Sequence, residues 1–146
     1  MILDSELIFS GTVSSGTWTG QAITASGDTA STSYVDTKAA GDAMNPGARI
    51  KIVATELFAG TGTTIRARLQ TDSDSGFATA LVSLLDTGTI AKASTVAGTV
   101  LLDAVIPNGV KRYLRVLYTS DNTFETTGKV FAAIVLDTDR TLDRSL

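Results

Sequence analysis

The chain contains no histidine and no cysteine, only two prolines and one tryptophan, and aromatic residues make up 6% of it. Each absence removes chemistry. Without imidazole no side chain titrates near neutrality, and a Ser-His-Asp triad, an HExxH zinc site and a facial iron triad are all impossible. Without thiols there is no disulfide, no thiolate nucleophile and no Cys-based zinc or iron–sulfur centre, while the redox compartment stays open. Charge is sparse too, at 18% of residues, with 12 basic against 15 acidic groups and a formal net charge of −3. Neutralising phosphates needs a basic stripe on one face, and here the basic residues are scattered, so no direct nucleic-acid partner is expected. No apolar run reaches the ~18 residues of a membrane helix. The N-terminal patch MILDSELIFS lacks a basic region and is broken by Asp4 and Glu6, so neither a membrane segment nor a signal peptide is expected.

What is abundant points one way. Thr and Ser supply about a quarter of the 146 residues, and there are 13 glycines. Beta-branched and turn residues in that proportion indicate an all-β chain of one domain. The hydrophobic fraction is 43% but leans on alanine, which implies a thin core. Along the chain, short apolar or alternating runs are separated by Gly, Asn, Asp and Ser clusters.

Ala48 to Phe58 reads as a strand, with Ile50, Ile52 and Ala54 on one face and Lys51, Val53 and Thr55 on the other. Thr63 to Thr71 alternates most cleanly, placing Ile65, Ala67 and Leu69 inward and Arg66, Arg68 and Gln70 outward, as a half-buried antiparallel strand requires. Thr99 to Ile106 and Tyr113 to Tyr118 are strands joined across Pro107-Asn108-Gly109. Val130 to Leu136 is apolar on both faces, which suits a central strand covered by the core on one side and by something else on the other. Trp18 to Ala25 and Ser33 to Asp36 are weaker strand candidates, KAAGDAMNPG hints at a helical turn, and Phe77 to Leu85 fits neither period. About eight short strands leave a sandwich, a jelly roll or a small barrel. The boundaries expected are residues 1–10 as an N-terminal arm or first strand, 11–137 as the β domain, and 138–146 as a polar tail.

Candidate chemistry is thin. Asp72, Asp74 and Gly76 imitate part of a calcium loop, but the twelfth position, which should carry a bidentate Glu, is Ser83; a solvated acidic turn is the competing reading. Gly60-Thr61-Gly62-Thr63-Thr64 resembles a phosphate-binding turn without satisfying either glycine motif. With three glutamates, and with Asp mostly in turns, no catalytic pair is expected, nor any cofactor or metal. Contact surfaces are more promising. Ile2, Leu3, Leu7, Ile8 and Phe9 form an apolar N-terminal stretch, and Trp18 stands alone in a Thr/Gly-rich setting, so all six are interface candidates. Arg66, Arg68, Lys111, Arg112 and Arg115 would form a basic patch if their two strands were neighbours, unless acids of the same sheet pair with them. Arg140 and Arg144 in the tail complete the list.

Four stretches, MILDSELIFS, RARLQTDSDSGF, KRYLRVLYT and GKVFAAIVLD, resemble in order and spacing the small jelly-roll capsid cement (decoration) proteins of tailed bacteriophages, over Met1 to about Asp137. The resemblance implies a non-enzymatic virion protein, made in the bacterial host cytoplasm, that folds as an antiparallel jelly roll. It implies self-association, as a homodimer or alternatively a homotrimer, and attachment to the outside of the shell built by the major capsid protein. A carbohydrate- or receptor-binding β-sandwich of a phage tail or adhesin is the alternative, though sugar sites favour more exposed aromatics than this chain carries.

Overall fold

The computed structural model describes residues 5–39, 47–122 and 127–135. Ile2, Leu3, Arg140, Arg144, most of the KAAGDAMNPG segment and the polar tail lie outside them. After a 3₁₀ turn at Ser5–Leu7 the strands are β1 (Ile8–Ser10), β2 (Thr12–Ser14), β3 (Thr17–Thr19), β4 (Gln21–Ala22), β5 (Gly27–Ala30), β6 (Val35–Asp36) and β7 (Arg49–Ala59). There follow β8 (Thr64–Asp72), β9 (Val82–Asp86), β10 (Ile90–Ala91), β11 (Val100–Val105), β12 (Tyr113–Ser120) and β13 (Thr127–Val135).

All pairings are antiparallel. One sheet runs β1-β13-β7-β11, with β4 also on β13; the other runs β10-β8-β12-β5, with β6 also on β12 and β9 also on β8. Since β7 occupies one edge of β13, β1 and β4 share the other, and they act as one interrupted strand. Likewise β5 and β6 share an edge of β12, and β9 and β10 share an edge of β8. Counted this way the segments make eight strands in the orders 1-8-3-6 and 2-7-4-5, a jelly roll in which consecutive strands mostly change sheets. The Pro107-Asn108-Gly109 connection is therefore a passage between sheets, because β11 pairs with β7 and β12 with β8.

The sheets close on one core. Ile50, Ile52 and Ala54 of β7 and Val130, Ala132 and Ile134 of β13 are fully buried against Ile65, Ala67 and Leu69 of β8 and Leu114, Val116 and Tyr118 of β12. Removing each large aliphatic from water contributes ~1.5–3 kcal/mol. A register shift between Ile8 and Ser10 turns both Phe9 and Ser10 inward, leaving Ile8 on the opposite face. Ser10 Oγ meets Tyr118 Oη at 2.7 Å, a buried polar link between the two sheets.

The interruption between β1 and β4 is a hairpin, β2 to β3, lying over the outside of the first sheet. Gly11 makes its near root possible: φ is +90°, and a Cβ there would sit 2.3 Å from the Thr19 carbonyl oxygen. At the far root a Cβ on Gly20 would meet the Val130 carbonyl oxygen at 2.9 Å. Ser15 and Gly16, both at positive φ, form the two-residue tip that a twisted hairpin prefers.

Candidate interaction surfaces

The two outer faces of the sandwich differ chemically. On the first sheet Trp18 stands over Phe131, with ring centroids 4.7 Å apart, and Val13 is its cross-strand neighbour in the hairpin. Phe131 pairs in register with Val53, and Val53 with Val100 on the edge strand β11. An apolar row, Val13-Trp18-Phe131-Val53-Val100, thus crosses the face from hairpin to edge. Phe131 is covered, but Val13 and Trp18 are each 39% exposed and Val100 47%. On one side of the row lies the Lys129–Glu56 pair at 2.9 Å, and on the other Lys51 and the Arg49–Asp103 pair at 2.7 Å. The something that covers the outer side of the last strand is therefore the hairpin, together with Ile8, which clusters with Phe131 and Ala133.

The second sheet faces outward with charge. Strands β8 and β12 are neighbours, with Arg115 opposite Gln70, Leu117 opposite Arg68 and Thr119 opposite Arg66. The arginines do form one patch, and most of it is neutralised in place. Arg66 chelates Asp86, Arg68 reaches Asp28 at 3.3 Å, and Arg112 makes a two-pronged contact with Asp36 at 2.9 and 3.1 Å. Lys111 Nζ donates to the Ala80 carbonyl. Arg115 is the exception: its Nε donates to the neutral amide oxygen of Gln70 at 2.9 Å, and its guanidinium lies 4.4 Å from the Phe77 ring centroid.

The two loops read as candidate ion sites, one for calcium and one for phosphate, resolve as internal caps. Asp72 is fully buried, and its oxygens accept the backbone N–H groups of Asp74, Thr79 and Ala80 at 3.1–3.3 Å, folding residues 73–80 back over the sheet. Asp72 itself is thus dry and its lone pairs meet donors, while Ser73, Ser75 and Gly76 of the same turn are exposed and Asp74 is half-buried, as in a solvated turn. Burial would raise the Asp72 carboxyl, but these N–H groups together hold it below its ordinary value. At Gly60–Thr64 the turn does bind an anion, its own Asp121, whose carboxylate accepts the Thr63 hydroxyl and the Thr63 and Thr64 N–H groups at 2.9 and 3.0 Å.

A pH profile follows from these carboxylates. The Arg66 guanidinium brings Asp86 to about 2, the Thr63 hydroxyl and backbone donors bring Asp121 to about 2, and Arg112 holds Asp36 lower still, against an ordinary 3.8. Folded values below unfolded ones stabilise the fold above pH ~4, and that stability is lost as pH falls toward ~2. With no histidine, melting temperature should stay flat between about pH 5 and 9 and drop below about 4. A decline already under way at pH 6 in a calorimetric series would contradict this assignment.

Among the sequence-predicted contact residues, Phe9 is taken up entirely by the core and offers nothing to a partner. Leu7 packs against that core from its turn, Ile8 lies under the outer face of the first sheet, and Trp18 is half exposed there. Arg66, Arg68, Arg112 and Arg115 gather on the opposite sheet, so the candidates divide between two surfaces. Val13, Val100 and Phe131 complete the apolar row without having been singled out, although the two-faced apolarity of the last strand pointed to Phe131. Tyr34 and Phe77, beside Arg115, carried no periodic signal.

Within the described residues no three His, Cys, Asp or Glu side chains gather as a metal cluster, and no helix is long and apolar enough to cross a membrane. The features built up so far define an antiparallel jelly-roll β-sandwich with one apolar-striped and one charged outer face. The Bbp16 family matches residues 17–134, and the chain belongs to that family. No curated protein matches it.

Proposed function

We propose that this chain is a capsid cement protein, attaching to the outer surface of the shell built by a major capsid protein and stabilising the head of a tailed phage. The observation that carries the reading is the apolar row Val13-Trp18-Phe131-Val53-Val100, three of whose members are substantially exposed on a face flanked by ion pairs. Apolar anchors inside a polar rim are the usual anatomy of a protein interface. The resemblance of four stretches to phage cement proteins supports the same reading, as does the jelly-roll topology that the resemblance implied. A dimer or a trimer would present several such rows at once and gain affinity through effective concentration rather than through one strong contact.

The test uses expanded shells that lack the protein. Adding the purified protein should give stoichiometric attachment and shells that survive a higher temperature or a sharper osmotic shock. Bound protein should also melt above free protein, since a ligand of the native state alone raises stability. Val100→Asp places a charge at the edge-strand end of the exposed row, where the side chain is already solvated enough for the fold to persist, and attachment should fall at least tenfold. Wild-type protein that fails to bind such shells would remove the proposal, and unaltered binding by Val100→Asp would move the contact to another face.

A further inference from the structure

Arg115 is the one arginine of the charged face whose fork meets no carboxylate among the described residues. Beyond Nε, which is given to Gln70, its terminal N–H groups have no acceptor there. It opens onto a hollow of about 140 Å³ lined by Ala30–Tyr34, Ser75–Phe77 and Arg115 itself. Ser33, Tyr34 and Ser75 line the hollow and are exposed, and no hydrogen bond within the described chain takes up their hydroxyls, so the rim carries several available donors near one fixed cation. Tyr34 is half exposed and stands edge-on to both Phe77, at 6.4 Å, and Tyr113, at 5.6 Å.

The cation is held rigidly. Phe77 adopts φ +54°, a conformation a bulky side chain seldom takes, and is 93% buried there; its N–H donates to the Asp74 carbonyl at 3.1 Å. The three N–H groups taken by Asp72 pin the rest of that loop. The ring is thus fixed beneath the guanidinium and determines where its fork points. Burial disfavours the charged guanidinium and lowers its pKa, with Asp72 and Asp28 only partly opposing this. Both of those carboxylates are engaged elsewhere, Asp72 by the loop and Asp28 by Arg68 and Thr119.

We propose that the hollow beside Arg115 binds a single carboxylate, received by the Arg115 fork and the Ser33, Ser75 and Tyr34 hydroxyls. Fork and carboxylate match in a two-pronged geometry, as the neighbouring Arg112–Asp36 contact shows on the same face. Size sets the ligand. A water occupies ~30 Å³ of liquid, so the hollow holds a carboxylate with a short stem, whereas sites for larger ligands run to ~300 Å³ and beyond. Charge sets it too, because a doubly charged phosphate would be repelled by Asp72, Asp74 and Asp28. An acidic side chain of a protein partner and a free small acid share this chemistry.

Amide and arginine Nε resonances followed through titrations of the full chain will test it, with acetate, a blocked glutamate peptide and inorganic phosphate as probes at constant ionic strength. Saturable shifts confined to Arg115, Ser33, Tyr34, Ser75 and Phe77 are expected with the two carboxylates. A peptide that binds at least tenfold tighter than acetate identifies the source as a protein side chain, and equal affinities identify a free acid. Arg115→Gln should abolish the shifts. Should that variant not fold, Arg115→Lys, which keeps the charge but loses the fork, should weaken them at least threefold. Absence of saturable shifts, phosphate binding as tightly as carboxylate, or undiminished shifts in a folded Arg115 variant would each overturn the proposal.

Discussion

Phe9→Ala should cost about 3–5 kcal/mol of unfolding free energy and bring the protein close to its folding threshold. Phe9 lies on a strand of only three residues, yet it is fully buried in the main core. Truncating it removes the transfer energy of the ring and leaves a void that the two hydrogen-bonded sheets cannot collapse to fill. The informative comparison is Trp18→Ala. Trp18 is 39% exposed and has Phe131 as its aromatic partner, so losing that pair should cost about 0.5–1.5 kcal/mol beyond a modest change in burial. Urea midpoints of the two variants measure the contrast. If Phe9→Ala were as mild as Trp18→Ala, the N-terminal stretch would be an arm rather than part of the domain. Removal of residues 1–10 should accordingly unfold the chain, whereas the exposed row can be altered with the fold intact.

The difference between these aromatics shows how far the sequence could be read. The period of two in Thr63 to Thr71 and Ala48 to Phe58 declared which residues face inward, and Ile65, Ala67, Leu69, Ile50, Ile52 and Ala54 are all buried. Such strands are legible because one face is wet and the other dry. The hairpin is not, since every residue of β2 and β3 is exposed and each three-residue strand offers a single apolar position, Val13 or Trp18, too short a run to establish a period. Phe9 and Ser10 both point inward only because the register shifts at that point, so alternation would assign them to opposite faces.

Pairing across long sequence separations is the second thing hidden. The arginine patch was visible as a condition on neighbouring strands, but the acids that neutralise it come from β5, β6 and β9, set beside β8 and β12 by topology alone. The anion of the Gly60–Thr64 turn is a residue 58 positions away in sequence. Arg115 escapes neutralisation for the same non-local reason: opposite it stands Gln70 rather than an acid. What sequence reveals here is the chemistry of each strand, and what the fold adds is which of those chemistries cancel.

Tyr118→Phe should destabilise the protein by about 1–3 kcal/mol, although it deletes only one oxygen. Tyr118 is fully buried, and its hydroxyl and that of Ser10 satisfy each other at 2.7 Å between the sheets. Removing either partner leaves the other desolvated and unpaired. Tyr118→Phe and Ser10→Ala should therefore each be costly, while the double variant costs clearly less than their sum, an interaction that a double-mutant cycle reads directly. Alkaline pH gives a second readout. Burial raises the Tyr118 phenol well above its ordinary 10.0, with the Ser10 contact only partly offsetting it. An acid whose folded pKa is raised lends stability that is complete below the unfolded value and is lost as pH rises through and beyond it. Wild-type stability should fall above about pH 10, where the unfolded chain releases this proton and the folded chain does not, and Tyr118→Phe should lack that part of the fall. Additive single variants, or an alkaline limb unchanged in Tyr118→Phe, would mean that the hydroxyls find other partners and that the two sheets are held by apolar packing alone.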